Sequence, residues 1–247
     1  MRAMILAAGL GTRLKPLTDS TPKALVKLND HTLLELQIKK LKAEGFDRII
    51  INIHHFAKQI KDYLKQNNFF ECNIELSDES SKLLDTGGGL RKAAHFFSDG
   101  KPFLVYNVDI LSNINLMKLM DFHLASKCIA TLAIQDRESS RKFLFDKNKI
   151  LCGWMNKKSG EKIITRDEQS KFFPYSFSGV QIVDPKLFKY FPDKNVFSLV
   201  ELYLHAAKEE KIKGYVHGED EWFDFGKMEN LSEAEKIFDK IRYTYQV

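Results

Sequence analysis

Cysteine is scarce. Cys72, Cys128 and Cys152 are the only three in 247 residues, and no two stand in a C-x-x-C spacing. An odd, sparse set argues against a disulfide frame and for reduced thiols in a cytoplasm. Long apolar runs are missing as well. No stretch could span a membrane, and the short run near the N-terminus is too brief for a signal-peptide core. No block of consecutive like charges offers a nucleic-acid tail. The seven histidines form no H-E-x-x-H, and no Ser-His-Asp arrangement can be argued. Neither a solenoid-period repeat nor a low-complexity linker occurs. Two phosphate-binding fingerprints fail too. The dinucleotide pattern G-x-G-x-x-G needs a third glycine where Leu14 stands, and no G-x-x-x-x-G-K-[ST] string exists. These absences exclude a membrane protein, a disulfide scaffold and a nucleic-acid binder, and leave the dehydrogenase reading weak.

What is present is a soluble-type composition, 44% hydrophobic and 29% charged. The length suits one domain spanning 1–247 with a full core. The net charge of +5 is a mild surplus that a polyanionic small substrate would explain. The chain is organised around Met4 to Lys23, MILAAGLGTRLKPLTDSTPK. A short apolar run stopped by glycine reads as a buried strand. Gly9 and Gly11 let the backbone turn tightly and approach a ligand, because no side chain holds it off. Arg13 sits just past that turn. Pro16 and Pro22 keep the next segment out of a helix, and Lys23 brings a second cation. A glycine turn plus two cations at a strand end suits polyphosphate.

Periodicity then predicts alternating helices and strands. Helices are expected over 32–44, around Phe56 to Leu64, over 90–97 and over 116–125. Strands are expected over 48–53, 73–76, 102–106 and 128–134. Gly45 is a helix stop. This alternation implies α/β architecture: a mainly parallel mixed sheet flanked by helices, with ligands at the carboxyl ends of the strands. Past residue 135 the rhythm changes. Phe143 to Trp154 reads as a hairpin around Asp146 to Lys149, and Asn156 to Lys171 as a loop. A strand follows over 175–183. Ser198 and Glu201 have capping-box spacing ahead of a helix reaching about Glu210. Strands over 212–217 and 221–225 precede a terminal helix capped by Asn230. The expected parts are 1–135 for nucleotide, 136–229 for acceptor, and 230–247 for the helix.

Four further groups carry chemistry. Asp109 follows the apolar strand 103–106 and Asn107, so it points into the ligand crevice. Beside a triphosphate such a carboxylate implies a divalent cation, although a turn aspartate is the commoner occurrence. Asp224 lies inside the aromatic strand Trp222 to Phe225, where alternation separates it from Phe223 and Phe225. It is either metal-bound or on a solvent-facing side. Asp85-Thr86-Gly87-Gly88-Gly89 is a second glycine loop opening the helix at Leu90. Its amides could approach a base, with Glu79 supplying a base-reading side chain. Arg137 and Arg141 form a basic cluster after a strand. Gly179 leaves room for a hexose or marks a bulge. His54-His55 is loop polarity or a substrate contact.

The string G-x-G-T-R-x-x-P-x-T followed by P-K, with DTGGG, NVD and WFDFG, closely resembles the signature of the sugar-1-phosphate nucleotidyltransferases. The match runs from Met4 to the terminal helix. It is most similar to the short members, such as the N-acetylmuramate 1-phosphate uridylyltransferases of cell-wall recycling, and also to heptose- and mannose-1-phosphate transferases. The resemblance implies a Rossmann-like fold and the reaction of an NTP, UTP first, with a sugar 1-phosphate to give an NDP-sugar and pyrophosphate. It implies Mg²⁺ on Asp109 and Asp224, with Arg13, Lys23 and Asp109 catalytic. Nucleotide contacts fall to Ala7, Ala8, Gly9, Gly11, Thr12, Arg13, Lys23, Glu79, Thr86, Gly87 and Gly88. Asn107, Arg141 and Gly179 face the sugar phosphate. Guanylyl, thymidylyl or cytidylyl transfer, a phosphocholine acceptor, and an inactive nucleotide-sugar sensor are the alternatives. A monomer or homodimer is expected. Val108 departs from the usual glycine or serine of the family and is expected to narrow the sugar pocket.

Overall fold

The structure, a computed structural model, describes residues 1–166, 171–226 and 231–246. In chain order the strands and helices are β1 (Arg2–Leu6), β2 (Lys27–Leu28), β3 (His31–Thr32), α1 (Leu33–Ala43), β4 (Arg48–Ile53), α2 (Ala57–Gln66), β5 (Asn73–Asp78), α3 (Asp85–Lys92), β6 (Phe103–Asn107), β7 (Ile110–Ser112), α4 (Leu116–Ser126), β8 (Ala130–Gln135), β9 (Arg141–Phe145), β10 (Leu151–Asn156), β11 (Lys162–Ile164), β12 (Phe173–Val183), α5 (Leu199–Ala206), β13 (Ile212–Val216), β14 (Trp222–Asp224) and α6 (Leu231–Ile241). The fold is α/β and Rossmann-like, a mixed sheet flanked by helices. Contacts group the chain into two units. One comprises Met1–Asp85, Val105–Ile114 and Asp220–Val247; the other comprises Thr86–Leu104 and Asn115–Glu219. Neither is a contiguous stretch.

In the first unit β1, β4 and β5 run parallel, with Leu6 opposite Asn52 and Asn52 opposite Ser77. The aliphatic residues of β1 and β4 are buried on both faces, as inner parallel strands require, while Ile74 and Leu76 of β5 are half-buried. Helix α1 begins at an N-cap, Thr32, whose hydroxyl accepts the Glu35 amide at 3.1 Å. Its Leu33, Leu34, Leu36, Ile38 and Leu41 are fully buried. Gly45 closes it with φ +81°. Three polar side chains then grip the short strand β7 and the residues just after it. The Gln37 amide donates to the Ile110 carbonyl at 2.6 Å, and Lys40 Nζ donates to the Ile114 carbonyl at 3.0 Å. The buried Tyr245 hydroxyl accepts the Ser112 amide at 2.8 Å. Strand β14 pairs antiparallel with β7, placing Asp224 opposite Ile110. Asp109, one residue before β7, is therefore fixed from both sides.

In the second unit β8 lies between parallel β13 and antiparallel β12. Strand β12 also pairs with β9, which forms the expected hairpin with β10. The register of β12 against β8 shifts between Phe177 and Gln181, a bulge in which Gly179 takes φ +73°. Helix α5 starts at Ser198, whose hydroxyl accepts the Glu201 amide at 3.1 Å.

Three expectations need correction. The stretch 156–171 contains a strand, β11, which pairs with β10; three residues in a polar surrounding give too little alternation to read. Helix α5 ends at Ala206, short of Glu210. The triglycine segment is not a loop: α3 runs through Gly87, Gly88 and Gly89. Glycine disfavours a helix by roughly 1 kcal/mol relative to alanine, but here close packing demands it. A Cβ on Gly87 would lie 2.5 Å from the Phe197 ring and 2.9 Å from its carbonyl oxygen. The expected cap Asn230 lies outside the described residues.

Candidate active site

The site is built in the first unit from four distant segments. Strand β1 ends at Leu6, and the chain turns through Gly9 and Gly11. A Cβ on Gly9 would meet nothing within 4 Å, so this backbone is open to a ligand. Gly11 is constrained instead. Its φ is +64°, and a Cβ there would lie 2.8 Å from Thr18 Cγ2 and 3.1 Å from Lys23 Cβ. The Thr18 hydroxyl donates to the Gly11 carbonyl at 2.9 Å, and the Leu14 amide does so at 2.8 Å. The turn is thus closed on itself, with Thr12 and Arg13 exposed in the helical turn Thr12–Leu14 that it opens.

Pro22 leads into a second short helical turn, Lys23–Leu25. Lys23 is buried and its ammonium pairs with the Asp109 carboxylate. Asp109 Oδ2 takes that charge, while the Asp109 carbonyl accepts the Phe225 amide at 2.8 Å. That bond brings Asp224 alongside. The two carboxylates are within hydrogen-bonding reach of each other. Burial, and then the negative Asp109, push the Asp224 carboxyl above the usual carboxylate range; Lys23 and Arg13 oppose that shift. Asp224 Oδ1 is buried and has no hydrogen-bond partner among the described residues. Gly226 keeps the space beside it open. A Cβ there would lie 2.7 Å from Asp224 Oδ1 and 3.0 Å from Arg13 Nη2.

Arg13, Lys23, Asp109 and Asp224 therefore meet, as the sequence led one to expect. The donor set suits a hard divalent cation. It offers two carboxylates in mutual reach, one with an orphaned buried oxygen, and a buried polar atom left unpaired is costly. Among the described residues no group of three or more His, Cys, Asp and Glu side chains could hold a metal. Two carboxylates with the remaining positions left to water and phosphate is the usual manner of Mg²⁺.

Other expected contacts are placed differently. Ala7 and Ala8 are buried, and the Ala7 amide donates to Asn52 Oδ1 at 2.7 Å. Glu79 is fully buried, and both its oxygens are engaged. Oε1 accepts the Asn52 side-chain amide at 2.8 Å and Oε2 accepts the Leu84 amide at 3.1 Å. His54 Nδ1 lies 2.7 Å from the Glu79 carbonyl, so this histidine braces the same turn. Asn107 closes β6 half-buried, and the Val108 side chain is buried with its amide donating to the Leu6 carbonyl at 3.1 Å.

In the second unit the Gly87 and Gly88 amides donate to the Phe197 carbonyl at 2.9 and 3.1 Å, and Thr86 Oγ1 accepts the Leu199 amide at 2.9 Å. These three groups fasten α3 to the start of α5 and are not amides held out for a base. Arg141 is exposed on β9. Arg137 is the arginine beside the β12 bulge, donating to the Phe177 carbonyl at 2.9 Å. Next to Gly179, the Ser178 hydroxyl and His217 Nε2 lie 2.7 Å apart, both buried. Burial, with the nearby Arg137 charge, lowers His217 to about 4, so its ring is neutral near pH 7.

Three contributors went unread in the sequence. Thr18 reads only as part of an extended segment, and Gly226 sits inside a quoted string without a role. Asn52 had a visible signal, a lone amide inside the apolar run RIIINI.

Comparison with known proteins identifies relatives of the whole chain. The nucleotidyl transferase family model matches residues 2–240. The N-acetylmuramate alpha-1-phosphate uridylyltransferase of Neisseria meningitidis serogroup B is 31% identical over 242 residues, covering 96% of this chain and 98% of that protein. The protein of the same description from Caulobacter vibrioides is 28% identical, with 91% of each chain covered. The crystal structure of HddC from Yersinia pseudotuberculosis complexed with GMP-PN superposes with a TM-score of 0.77 at 22% identity, over 96% of this chain and 99% of that one. The chain belongs to the nucleotidyl transferase family.

Proposed function

We propose that the protein transfers a nucleoside monophosphate from an NTP, UTP foremost, to a sugar 1-phosphate, N-acetylmuramate 1-phosphate or a related hexose 1-phosphate, releasing pyrophosphate. The observation that carries this reading is the meeting of Arg13, Lys23, Asp109 and Asp224 beside the open turn at Gly9. The substrate class is supported by what the relatives of full length act on.

The acceptor's phosphate oxygen attacks the α-phosphorus. One P–O bond forms, the bond to the β-phosphate breaks, and pyrophosphate leaves with its electron pair. The nucleophile is already anionic near neutral pH, so no general base is required. The barrier is the approach of two anions and the charge gathering on the leaving group. Mg²⁺ held by Asp109 and Asp224 would supply charge neutralisation at the phosphate oxygens. Lys23 offers its ammonium to the α-phosphate and the incoming phosphate once substrate competes for it with Asp109. Arg13, at the exposed side of the turn, suits the β- and γ-phosphates, because a pair of phosphate oxygens matches the planar guanidinium fork. Gly9 allows the backbone to lie against the nucleotide, and Gly11 supplies the left-handed bend that closes the turn. Glu79 serves nucleotide binding by bracing the first unit's turn through Asn52, while Thr86, Gly87 and Gly88 hold α3 to the start of α5. Arg137 and Gly179, in the second unit, suit acceptor binding. Catalysis by this set is positioning plus electrostatics. The free thiols Cys72, Cys128 and Cys152 suit a cytoplasmic setting. No described helix is long and apolar enough to cross a membrane.

A matrix of five NTPs against several sugar 1-phosphates and phosphocholine, read by Mg²⁺-dependent pyrophosphate release, tests this. Fastest release is expected with UTP and N-acetylmuramate 1-phosphate. Tight nucleotide-sugar binding with no release from any pair would make the protein a sensor instead.

A further inference from the structure

We infer that the buried Asn52–Glu79 pair is a positioning unit for the nucleotide turn, and that Glu79 acts through it instead of reading the base. This rests on the proposed reading of the site as a nucleotide site.

Asn52 sits on β4, the middle of three parallel strands, opposite Leu6 at the end of β1. It is 3% exposed and Glu79 is 0% exposed. A polar side chain buried there has to be paired, and both faces of this amide are. Its oxygen accepts the Ala7 amide, the first backbone donor after β1, at 2.7 Å. Its nitrogen donates to Glu79 Oε1 at 2.8 Å. The other Glu79 oxygen accepts the Leu84 amide at 3.1 Å. The Glu79 backbone is held too, its amide donating to the Ile53 carbonyl at 2.7 Å and its carbonyl accepting the Lys82 amide at 3.0 Å. One chain of hydrogen bonds thus runs from residue 7 through 52 and 79 to 84. It sets where the backbone enters the Gly9 turn, and relates that entry to segment 79–84. With both oxygens occupied, Glu79 has no acceptor held out for a base.

The chain has a defined polarity, and that makes it testable. Asn52→Asp puts an acceptor against the Glu79 oxygen. Glu79→Gln puts an amide N–H against either Asn52 Nδ2 or the Leu84 amide. Combining the two changes restores every pairing. The position-52 carboxylate then accepts from Ala7 and from the new amide, whose oxygen accepts from Leu84. Each single variant is expected to raise KM for UTP about tenfold or more, with kcat within about threefold of wild type. The double variant is expected to return KM to within about threefold of wild type. A purely structural pair would lower the melting temperature and leave KM alone. Singles with wild-type KM, or a double variant whose KM increase is the product of the two, would overturn the inference. If a single variant fails to fold, the double variant decides alone: folded with wild-type KM supports the pairing, and anything else refutes it. A wild-type protein that neither binds UTP in calorimetry nor consumes it would instead overturn the nucleotide reading itself.

Discussion

The two units of this molecule organise polar groups in opposite ways. In the first, charged side chains from residues 13, 23, 109 and 224 converge, and part of their capacity is left unspent. Asp224 Oδ1 has no partner among the described residues, and the Asp109–Asp224 contact sets one carboxylate against another. In the second, two of the polar contacts near the β12 bulge involve a neutral pair or backbone: Ser178 with His217, and Arg137 on the Phe177 carbonyl. The first arrangement raises the energy of the empty protein and is relieved by bringing in charge. The second gathers no such concentration of charge, although Gln181, buried on β12 at the bulge, has neither side-chain amide atom hydrogen-bonded among the described residues. Reaction chemistry should therefore depend on the first unit and acceptor choice on the second.

The strongest way to break that contrast is Asp109→Ala. It should leave the protein folded, by circular dichroism and melting, and cut turnover by about 10² or more. Near wild-type turnover would remove Asp109 from the mechanism. Acid should act on the second unit first. His123 and His217, both in that unit, are lowered to about 4 by burial. Unfolded, each titrates near 6.5. Between those values the unfolded chain binds more protons, so their contribution is whole above about pH 6.5 and drains away as pH falls toward 4. The loss is on the order of 3 kcal/mol each at its full extent. Hydrogen exchange near pH 5 should show the second unit losing protection before the first, and uniform protection would contradict this. Gly226→Ala forces a methyl against Asp224 Oδ1 and Arg13 Nη2. It should lower turnover about tenfold with a melting temperature near wild type. Arg141→Ala should matter least. Its side chain is exposed, and KM for the acceptor should change less than about threefold, whereas a large change would put Arg141 back in the acceptor site.

How much of this the sequence disclosed follows the same division. Strand β4 was readable to the residue, because six β-branched or apolar-flanked positions leave no other reading. The glycine turn, Lys23, Asp109 and Asp224 were readable as types of residue at strand ends. The triglycine helix was not, because local propensity favours a loop and only Phe197, more than a hundred residues away, overrides it. Arg141 was favoured over Arg137 because sequence shows a cluster and not its faces. In the strand Arg141 points outward, while its neighbour Lys142 is buried. The pairing of Glu79 with Asn52 was not readable, because burial and that pairing arise only from the register of β1, β4 and β5.

The most direct test is a double-mutant cycle on pyrophosphate release, with Asp109→Ala, Asp224→Ala and the two combined. If both carboxylates serve one centre, losing the second after the first costs little, and the double variant is close to the slower single one. Rate losses that multiply, or an Asp224→Ala variant with wild-type turnover, would show that the carboxylates work apart.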